Sequence, residues 1–576
     1  MTKILVYEGV GPRVDTPTTL VDTFRKATGY QYDVQSVTLE ALSLAPWEPS
    51  TRMLVLGPTD PTDALWQRTG AGRTVLARMH AWVQSRGVVV ALGDDTIRAT
   101  LPLLKAGGAW DDEPTSASSP HGGTNAAAGA RSVRVGQGHV LWMPVPHPRP
   151  DELAPWLPSV QIRCAAPDAH THRLSPLYAT AITAPLLETW LQRFVAPASR
   201  TGASPVWLHE APTAYAVWEC VPPASVLAAW DSDKALALVA VPPTEWTAVA
   251  PRMPHFHYEA YYDALSMGRA RSSALPWPSP QSFQVSVGNL VLYGDIVSST
   301  QTVLESDRHL LRCAPPGTTV IATRQVRGRG RAHNAWLSPL GCLPFTTTVH
   351  LPLQIGNKAI FLQYLAALAI VFGLEAAYPA IQGRVRIKWP NDIYAQVPAA
   401  QHGSVCLSVD GQPRHFVKMG GILVTAVCEG DTFYAMVGCG VNCLNDEPTT
   451  SVQQLAADAG ASGVTIETCA GAILATLECL LRVWADHAYS FAPFVSAYRR
   501  AWLHSDQMVT LAEAPGQLRR IVGITSEYGL LRTVPVDATV RAAEDQAWLA
   551  ASMPGAVDVQ PDGNSFDLLA GCVRPK

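Results

Sequence analysis

Gln325-Val-Arg-Gly-Arg-Gly-Arg331, Asn334-Ala-Trp-Leu-Ser-Pro-Leu-Gly-Cys342 and Arg384-Val-Arg-Ile-Lys-Trp-Pro-Asn-Asp392 decide how this chain reads. The last piece alternates strictly. Val385, Ile387 and Trp389 fall on one face and Arg384, Arg386 and Lys388 on the other, the period of a half-buried strand. Pro390 stops that strand, and Asn391-Asp392 follows as a polar turn. The first piece is a Gly/Arg loop led in by the strand-like Val320–Thr323. Backbone N–H groups and guanidinium forks in such a loop approach phosphate or carboxylate oxygens together. A carboxylate set against a polar turn suits a hydrated Mg²⁺. These pieces point to a site for a nucleoside triphosphate and an organic acid.

Outward from this stretch the pattern stays sharp. Leu290–Tyr293 reads as a strand that passes through Asp295-Ile-Val-Ser-Ser-Thr-Gln301 into a helix with Ser/Thr at its cap. Asn357–Tyr378 reads as a long apolar helix and Thr465–Tyr489 as an amphipathic one. Ile422–Val427 and Phe433–Val437 form a hairpin around Glu429-Gly-Asp431. Met508–Leu511, Arg520–Ile524 and Gly529–Pro535 are short strands of a small C-terminal β-barrel. Before the Pro-rich connector Ser272–Pro280, only the first hundred or so residues read clearly. Buried strands at Ile4–Tyr7, Met53–Gly57 and Val88–Gly93 alternate with helices at Thr19–Thr28 and Thr74–Arg86, as in a doubly wound α/β layer. The stretch Glu113–Arg131 is Ser/Gly/Ala-rich and reads as a loop. Residues from Gly136 to about Val249 give an irregular pattern.

The chain has 576 residues, too many for one core, which predicts several domains. Its net charge of −4 argues against nucleic-acid binding by bulk electrostatics. No uninterrupted apolar run is long enough to span a bilayer. Its 11 cysteines are scattered without a C-x-x-C pair, which predicts reduced thiols in the cytosol. Cys439-Gly-Val-Asn-Cys443 lacks the nearby ligands a metal clip needs.

Taken singly, these motifs have plain structural readings. Gly328-Arg-Gly-Arg331 is neither a Walker A loop nor a dinucleotide-binding turn. Lys388–Asp392 is compatible with a strand end closed by an Asx turn. Lys418-Met-Gly-Gly-Ile422 and Gly438-Cys-Gly-Val-Asn442 are compatible with strands packed closely through glycine, and Trp336 with a core residue. Jointly and in this order, together with Ser298-Ser-Thr-Gln301, they resemble the biotin protein ligases, or holocarboxylase synthetases, over roughly residues 285–500. Pro561-Asp-Gly-Asn-Ser-Phe-Asp567 resembles the C-terminal tail of eukaryotic members, and the N-terminal part the glutamine-amidotransferase-like extension of the fungal type. Gly93-Asp-Asp-Thr96 stands where a nucleophile elbow would carry its cysteine, so no amidotransferase activity is expected.

The resemblance implies an α/β and α+β multidomain chain. A glutamine-amidotransferase-like α/β domain would span 1–270, a linker 271–283, an α+β biotin/lipoate-ligase-like catalytic domain 284–504, and a small SH3-like β-barrel 505–576. It implies that biotin and ATP with Mg²⁺ give biotinyl-5′-AMP, and that a lysine on the biotin-acceptor domain of a carboxylase, such as acetyl-CoA or pyruvate carboxylase, then takes the biotin. Biotin would be held by Ser299, Thr300, Gln325, Gly328, Arg329, Arg331 and Lys418. ATP would be held by Gly330, Arg331, Asn334, Trp336, Lys388, Asn391, Asp392 and Asn442, with Asp392 toward Mg²⁺. Arg329, Arg331, Lys418 and Asp392 would be catalytic. The expected protein is a cytoplasmic monomer with no nucleic-acid or membrane partner. Two alternatives remain: a lipoate or octanoate ligase on the same fold, and a non-catalytic scaffold whose N-terminal domain does the work.

Overall fold

The computed structural model divides into two compact units, Met1–His172 and Arg173–Lys576. It describes, in the first unit, residues 3–7, 33–37, 51–56, 87–92, 131–135 and 138–143 and a few helical positions between 23 and 83. In the second it describes 174–194, 206–210, 213–218, 236–272, 275, 277, 286–331, 336, 338–398, 404–409, 412–445, 449–511, 514–537, 555–560, 564–567 and 572–575.

The first unit is built on strands β1 (Lys3–Tyr7), β2 (Asp33–Ser36), β3 (Thr51–Leu56), β4 (Val88–Leu92), β5 (Arg131–Val135) and β6 (Gly138–Met143), in the order β2-β1-β3-β4-β6-β5. All pairings are parallel except β5 with β6. The predicted strands are present, and Thr23, Phe24, Val75, Ala77–Met79 and Ala81–Val83 are helical, as the alternation requires. β4 is wholly buried, which is why it reads as a continuous apolar run. Gly93–Thr96 and the loop stretch from Glu113 to Ala130 lie outside the described residues.

The second unit centres on one twelve-stranded sheet. Its strands are β7 (Leu177–Ala181), β8 (Val206–Glu210), β9 (Thr213–Trp218), β10 (Leu236–Ala240), β11 (Leu290–Val297), β12 (Thr319–Gln325), β13 (Cys342–Pro352), β14 (Val385–Lys388), β15 (Asp392–Val397), β16 (Val405–Val409), β17 (Gln412–Glu429) and β18 (Thr432–Asn442). They run in the order β14-β15-β17-β18-β13-β12-β11-β7-β10-β9-β8, with β16 on the side of β17. This corrects the domain boundary expected at residue 270. β7 pairs with β11 through Leu290↔Ala181 to Tyr293↔Tyr178, so residues from 177 to 240 continue the central sheet. The Pro- and Trp-rich composition there hid four strands.

Helices cover both faces. On one, α1 (Ala184–Phe194) and α2 (Thr300–Glu305) bury Leu187, Trp190, Val303 and Leu304 against Leu290, Leu292, Val320 and Met436. On the other lie α3 (Ile360–Ala377) and α4 (Ile466–Asp486). α3 is long and apolar enough by length and composition to cross a membrane, but most of it is buried within this core. An alanine methyl at Gly373 would stand 2.8 Å from Ala472 O, so the glycine lets the two helices touch backbone to backbone. A further helix, Tyr258–Ser272, packs on α4. Its Arg269 reaches the buried carboxylate of Glu478 at 2.7 Å, and Glu478 also accepts the Val287 N–H. The expected linker 271–283 therefore begins inside a packed helix, and Trp277 within it is buried and donates to Pro493 O.

Six C-terminal strands, β19 (Met508–Leu511), β20 (Ala514–Ile524), β21 (Leu531–Pro535), β22 (Val557–Val559), β23 (Asn564–Asp567) and β24 (Cys572–Pro575), form a separate sheet in the order β22-β21-β20-β19-β24-β23. They include the three predicted there. The segment that enters this sheet is tied to the central one. Leu503 N–H donates to Ile387 O, and Trp502 bridges Ile387.

Candidate functional site

A cavity of about 200 Å³ opens where β12 ends, α2 begins, and β14, β15, β17 and β18 meet. Ser299, Thr300, Gln325, Arg329, Gly330, Arg331, Trp336, Lys388, Asn391, Asp392 and Lys418 all line it. Eleven residues picked from sequence are thus brought into one place.

The deep end is polar and buried. Ser299 caps α2 by accepting from the Thr302 N–H. Gln325 Oε1 accepts from the Thr300 N–H at 2.8 Å and from its hydroxyl at 3.2 Å, and Gln325 Nε2 donates to Ser338 Oγ at 2.8 Å. Two further groups here were not picked out from sequence. Gln301 donates to Thr425 Oγ1 at 2.7 Å and Met436 O at 3.0 Å, and Thr346 Oγ1 donates to Thr300 Oγ1 at 2.9 Å. A methyl on Gly438 would fall 2.2 Å from Gln301 Oε1, so that glycine makes room for the amide. Gln301 closes the Ser298–Gln301 motif, but nothing in the sequence singles it out as a site residue. Thr346 sits in a strand run with no local signal.

The outer end is charged. Among the described residues, four cations, Arg329, Arg331, Lys388 and Lys418, line the cavity with a single carboxylate, Asp392. Asp392 Oδ1 is 2.7 Å from Lys418 Nζ and its Oδ2 is 3.7 Å from Lys388 Nζ. Arg331 donates to Asn391 Oδ1 at 3.1 Å, and Asn391 Nδ2 donates to Ile422 O at 2.7 Å. Arg329 is exposed and ion-paired with Glu305 of α2. An excess of cations around one carboxylate suits a polyanion that brings its own negative charge.

Backbone register explains the convergence. Lys388 is opposite Asp392, Asp392 opposite Gly421, and Gly421 opposite Gly440, one row across four strands. Between β15 and β17 the register slips: Ile393 faces Gly420 but Tyr394 faces Lys418. The extra residue is the fully buried Met419. A bulge of this kind re-aims the side chain beside it. It puts Lys418 on the face of Asp392 and Gly421, where plain alternation from Gly421 would turn it away. The two glycines give that face a flat floor. Trp336 lies over it, with Gly440 so close that a methyl would sit 2.2 Å from Trp336 Nε1, and Lys418 Nζ stands 5.8 Å from the indole.

Two expected ligands stand elsewhere. Asn442 does not line the cavity. It is buried where β13 pairs with β18 and donates to Thr449 Oγ1 at 3.2 Å. Gly328 backs the loop, its carbonyl accepting from the Trp336 N–H at 2.9 Å, and a side chain there would strike Trp336 O. Asn334 lies outside the described residues. Cys439 lines the cavity but burial pushes its thiol well up, and no cluster of three metal-ligating side chains occurs among the described residues.

Residues 293–442 match the family model described as Biotin/lipoate A/B protein ligase family, and residues 2–92 match Biotin-protein ligase, N terminal. The chain is similar to the biotin--protein ligase of Homo sapiens, with 30% identity over 302 residues, covering 50% of this chain and 36% of the relative. It is similar to that of Schizosaccharomyces pombe, with 30% identity over 297 residues, covering 50% of this chain and 44% of the relative. Biotin--protein ligase 2 of Arabidopsis thaliana is 28% identical over 297 residues, 50% of this chain and 78% of the relative. The matched part spans less than half the length of the human and fission yeast relatives.

Proposed function

We propose that this chain, which resembles the eukaryotic biotin protein ligases in both its N-terminal and its central segments, is itself one: it activates biotin with ATP to biotinyl-5′-AMP and passes the biotin to a lysine of a carboxylase acceptor domain. The observation that carries this reading is one cavity lined both by buried amide and hydroxyl groups and by a cluster of cations that includes Arg331 and Lys418.

The chemistry follows from that polarity. The ureido group of biotin needs donors and acceptors in a dry slot, and Ser299, Thr300 and Gln325 offer hydroxyls and an amide. In the first step a carboxylate oxygen of biotin attacks the α-phosphorus of ATP. A C–O–P linkage forms, the bond to the β-phosphate oxygen breaks, and pyrophosphate leaves. Two anions meet there, so Arg331, Lys418 and, once released from Glu305, Arg329 neutralise the oxygens on which charge gathers. In the second step the acceptor amine attacks the acyl carbon. A C–N bond forms, AMP departs, and the nitrogen loses a proton. Trp336 covers the adenylate and keeps water from it.

Mg²⁺ fits the donor set. Asp392 is the one carboxylate lining the cavity among the described residues, and Mg²⁺ is commonly held by one or two carboxylates together with substrate phosphates. When bound with the triphosphate, the ion supplies charge neutralisation there. We further propose that the first unit is amidotransferase-like without that activity, that the C-terminal sheet is SH3-like, and that the protein works as a cytoplasmic monomer. The buried thiols Cys342, Cys439 and Cys443 support a reducing compartment. Labelled biotin, Mg·ATP and a carboxylase acceptor domain test the reading. ATP-dependent labelling of one acceptor lysine is expected, and activation of lipoate in place of biotin would move the chain to the alternative ligase class.

A further inference from the structure

Trp389 sits between Lys388 and the Pro390–Asp392 turn, all of which line the cavity. Trp389 borders the cavity too, and its side chain is buried in the main core cluster. Neither of its N–H groups bonds within the central sheet. The backbone N–H donates to His504 Nε2 at 2.9 Å. The indole N–H donates to Tyr364 Oη at 3.0 Å, and Tyr364 in turn donates to Gly529 O at 2.6 Å, in the turn between β20 and β21.

His504 is fully buried. Because its Nε2 accepts, its Nδ1 carries the proton and donates to Gln507 Oε1 at 2.9 Å. Gln507 is fixed by its own backbone, its N–H donating to His504 O at 3.2 Å and its carbonyl accepting from the Ile521 N–H of β20 at 2.9 Å. Trp502 meets the imidazole edge-on, with centroids 5.6 Å apart and planes at 89°. A continuous set of bonds thus runs from the C-terminal sheet through a rigid ring to the backbone of the site turn. A buried N–H that loses its acceptor costs more than an ordinary hydrogen bond gains, so Trp389 is held to the ring.

We infer that His504 is a positioning residue that fixes the Lys388–Asp392 turn, and that the C-terminal sheet thereby sets the geometry of the nucleotide end of the site. The kinetic part rests on the ligase reading above; the positional part does not. It predicts a split between the two ends of the cavity. Ser299, Thr300 and Gln325 hang on α2 and β12, so biotin binding stays as in the parent when His504 is changed. ATP use does not, since Lys388, Asn391 and Asp392 shift together.

The test uses the full chain with His504→Leu, His504→Gln and Gln507→Met. Two readouts are taken: amide hydrogen exchange of the peptide containing Trp389, and biotin-dependent ATP–pyrophosphate exchange as a function of ATP. For His504→Leu the Trp389 amide exchanges faster, and kcat/KM for ATP falls about 10- to 100-fold with biotin affinity unchanged, the scale that small misplacements of a reacting geometry produce. The Gln variant, whose amide oxygen can take the place of Nε2, restores most of both. Gln507→Met shifts both in the same direction by less, and decides the matter if His504→Leu does not fold. Parent-like amide exchange at Trp389 in a folded His504→Leu overturns the inference, as does equal loss of ATP and biotin binding. A parent chain without biotin-dependent exchange of pyrophosphate overturns the ligase reading instead, and the amide exchange at Trp389 then decides the role of His504 alone.

Discussion

Lys418 and Asp392 form a pair at 2.7 Å in a cavity with three further cations. In this geometry Asp392 keeps Lys418 aimed at the site without cancelling its charge, because Lys388 shares the same carboxylate. Lys418→Ala should lower adenylate formation about 10²- to 10³-fold, the usual effect of removing one group aimed at developing transition-state charge. Arg331→Ala should act at the same step. Thermal melting of both variants should stay near that of the parent, since both side chains are only partly buried; equal losses of stability and activity would make their role structural. Two histidines are legible only in the structure. Burial lowers both His350 and His504 to about 4. A histidine whose folded pKa lies below its ordinary 6.5 binds fewer protons folded than unfolded between those values. Its contribution is therefore complete above pH 6.5 and is lost as pH falls toward 4. For His504 that loss is on the order of 3 kcal/mol. Urea midpoints measured from pH 7 to 4.5 should fall, and His504→Gln should flatten the slope.

At the scale of the element, the site is made by strand register. The strict alternation of Val385, Ile387 and Trp389 was readable from sequence, as were the helix cap at Ser299 and the hairpin around Gly430, because each rests on local periodicity or turn chemistry. The bulge at Met419 was not. Nothing in Lys418-Met-Gly-Gly-Ile422 says that Tyr394 will face Lys418 while Ile393 faces Gly420, since that slip depends on a partner strand distant in sequence. The place of Asn442 is hidden for the same reason: pairing with β13 buries it beside the cavity lining, which does not include it. A Met419→Leu exchange of similar volume should keep the bulge and leave activation of biotin intact. Gly440→Ala should displace Trp336 and weaken nucleotide binding at a stability cost of about 1–3 kcal/mol, as overpacking does. Isothermal titration with ATP and melting of the two variants check both.

For the whole molecule, the decisive fact is where the sheet ends. Composition points to a boundary at the Pro-rich connector, whereas β7 to β10 extend the central sheet back to residue 177 and Glu478 ties the helix Tyr258–Ser272 to α4. Long-range pairing of this sort, antiparallel between β7 and β11 and parallel on both sides of β10, leaves no local trace in Pro- and Trp-rich sequence. A chain starting at Arg173 should fold and activate biotin. One starting near Ser279 exposes the edge of β11, loses Arg269 while Arg482 stays on Glu478, and should be insoluble or melt far lower. Circular dichroism and size-exclusion chromatography of the two separate these outcomes. The most direct measurement of the central claim needs no acceptor at all. The full chain is incubated with biotin, Mg²⁺ and ATP labelled at the α-phosphate, and the products are separated. Formation of biotinyl-5′-AMP with stoichiometric release of pyrophosphate, dependent on biotin and lost in Lys418→Ala, is the predicted result. Release of pyrophosphate that ignores biotin, or an adenylate formed from lipoate and not from biotin, would contradict the account.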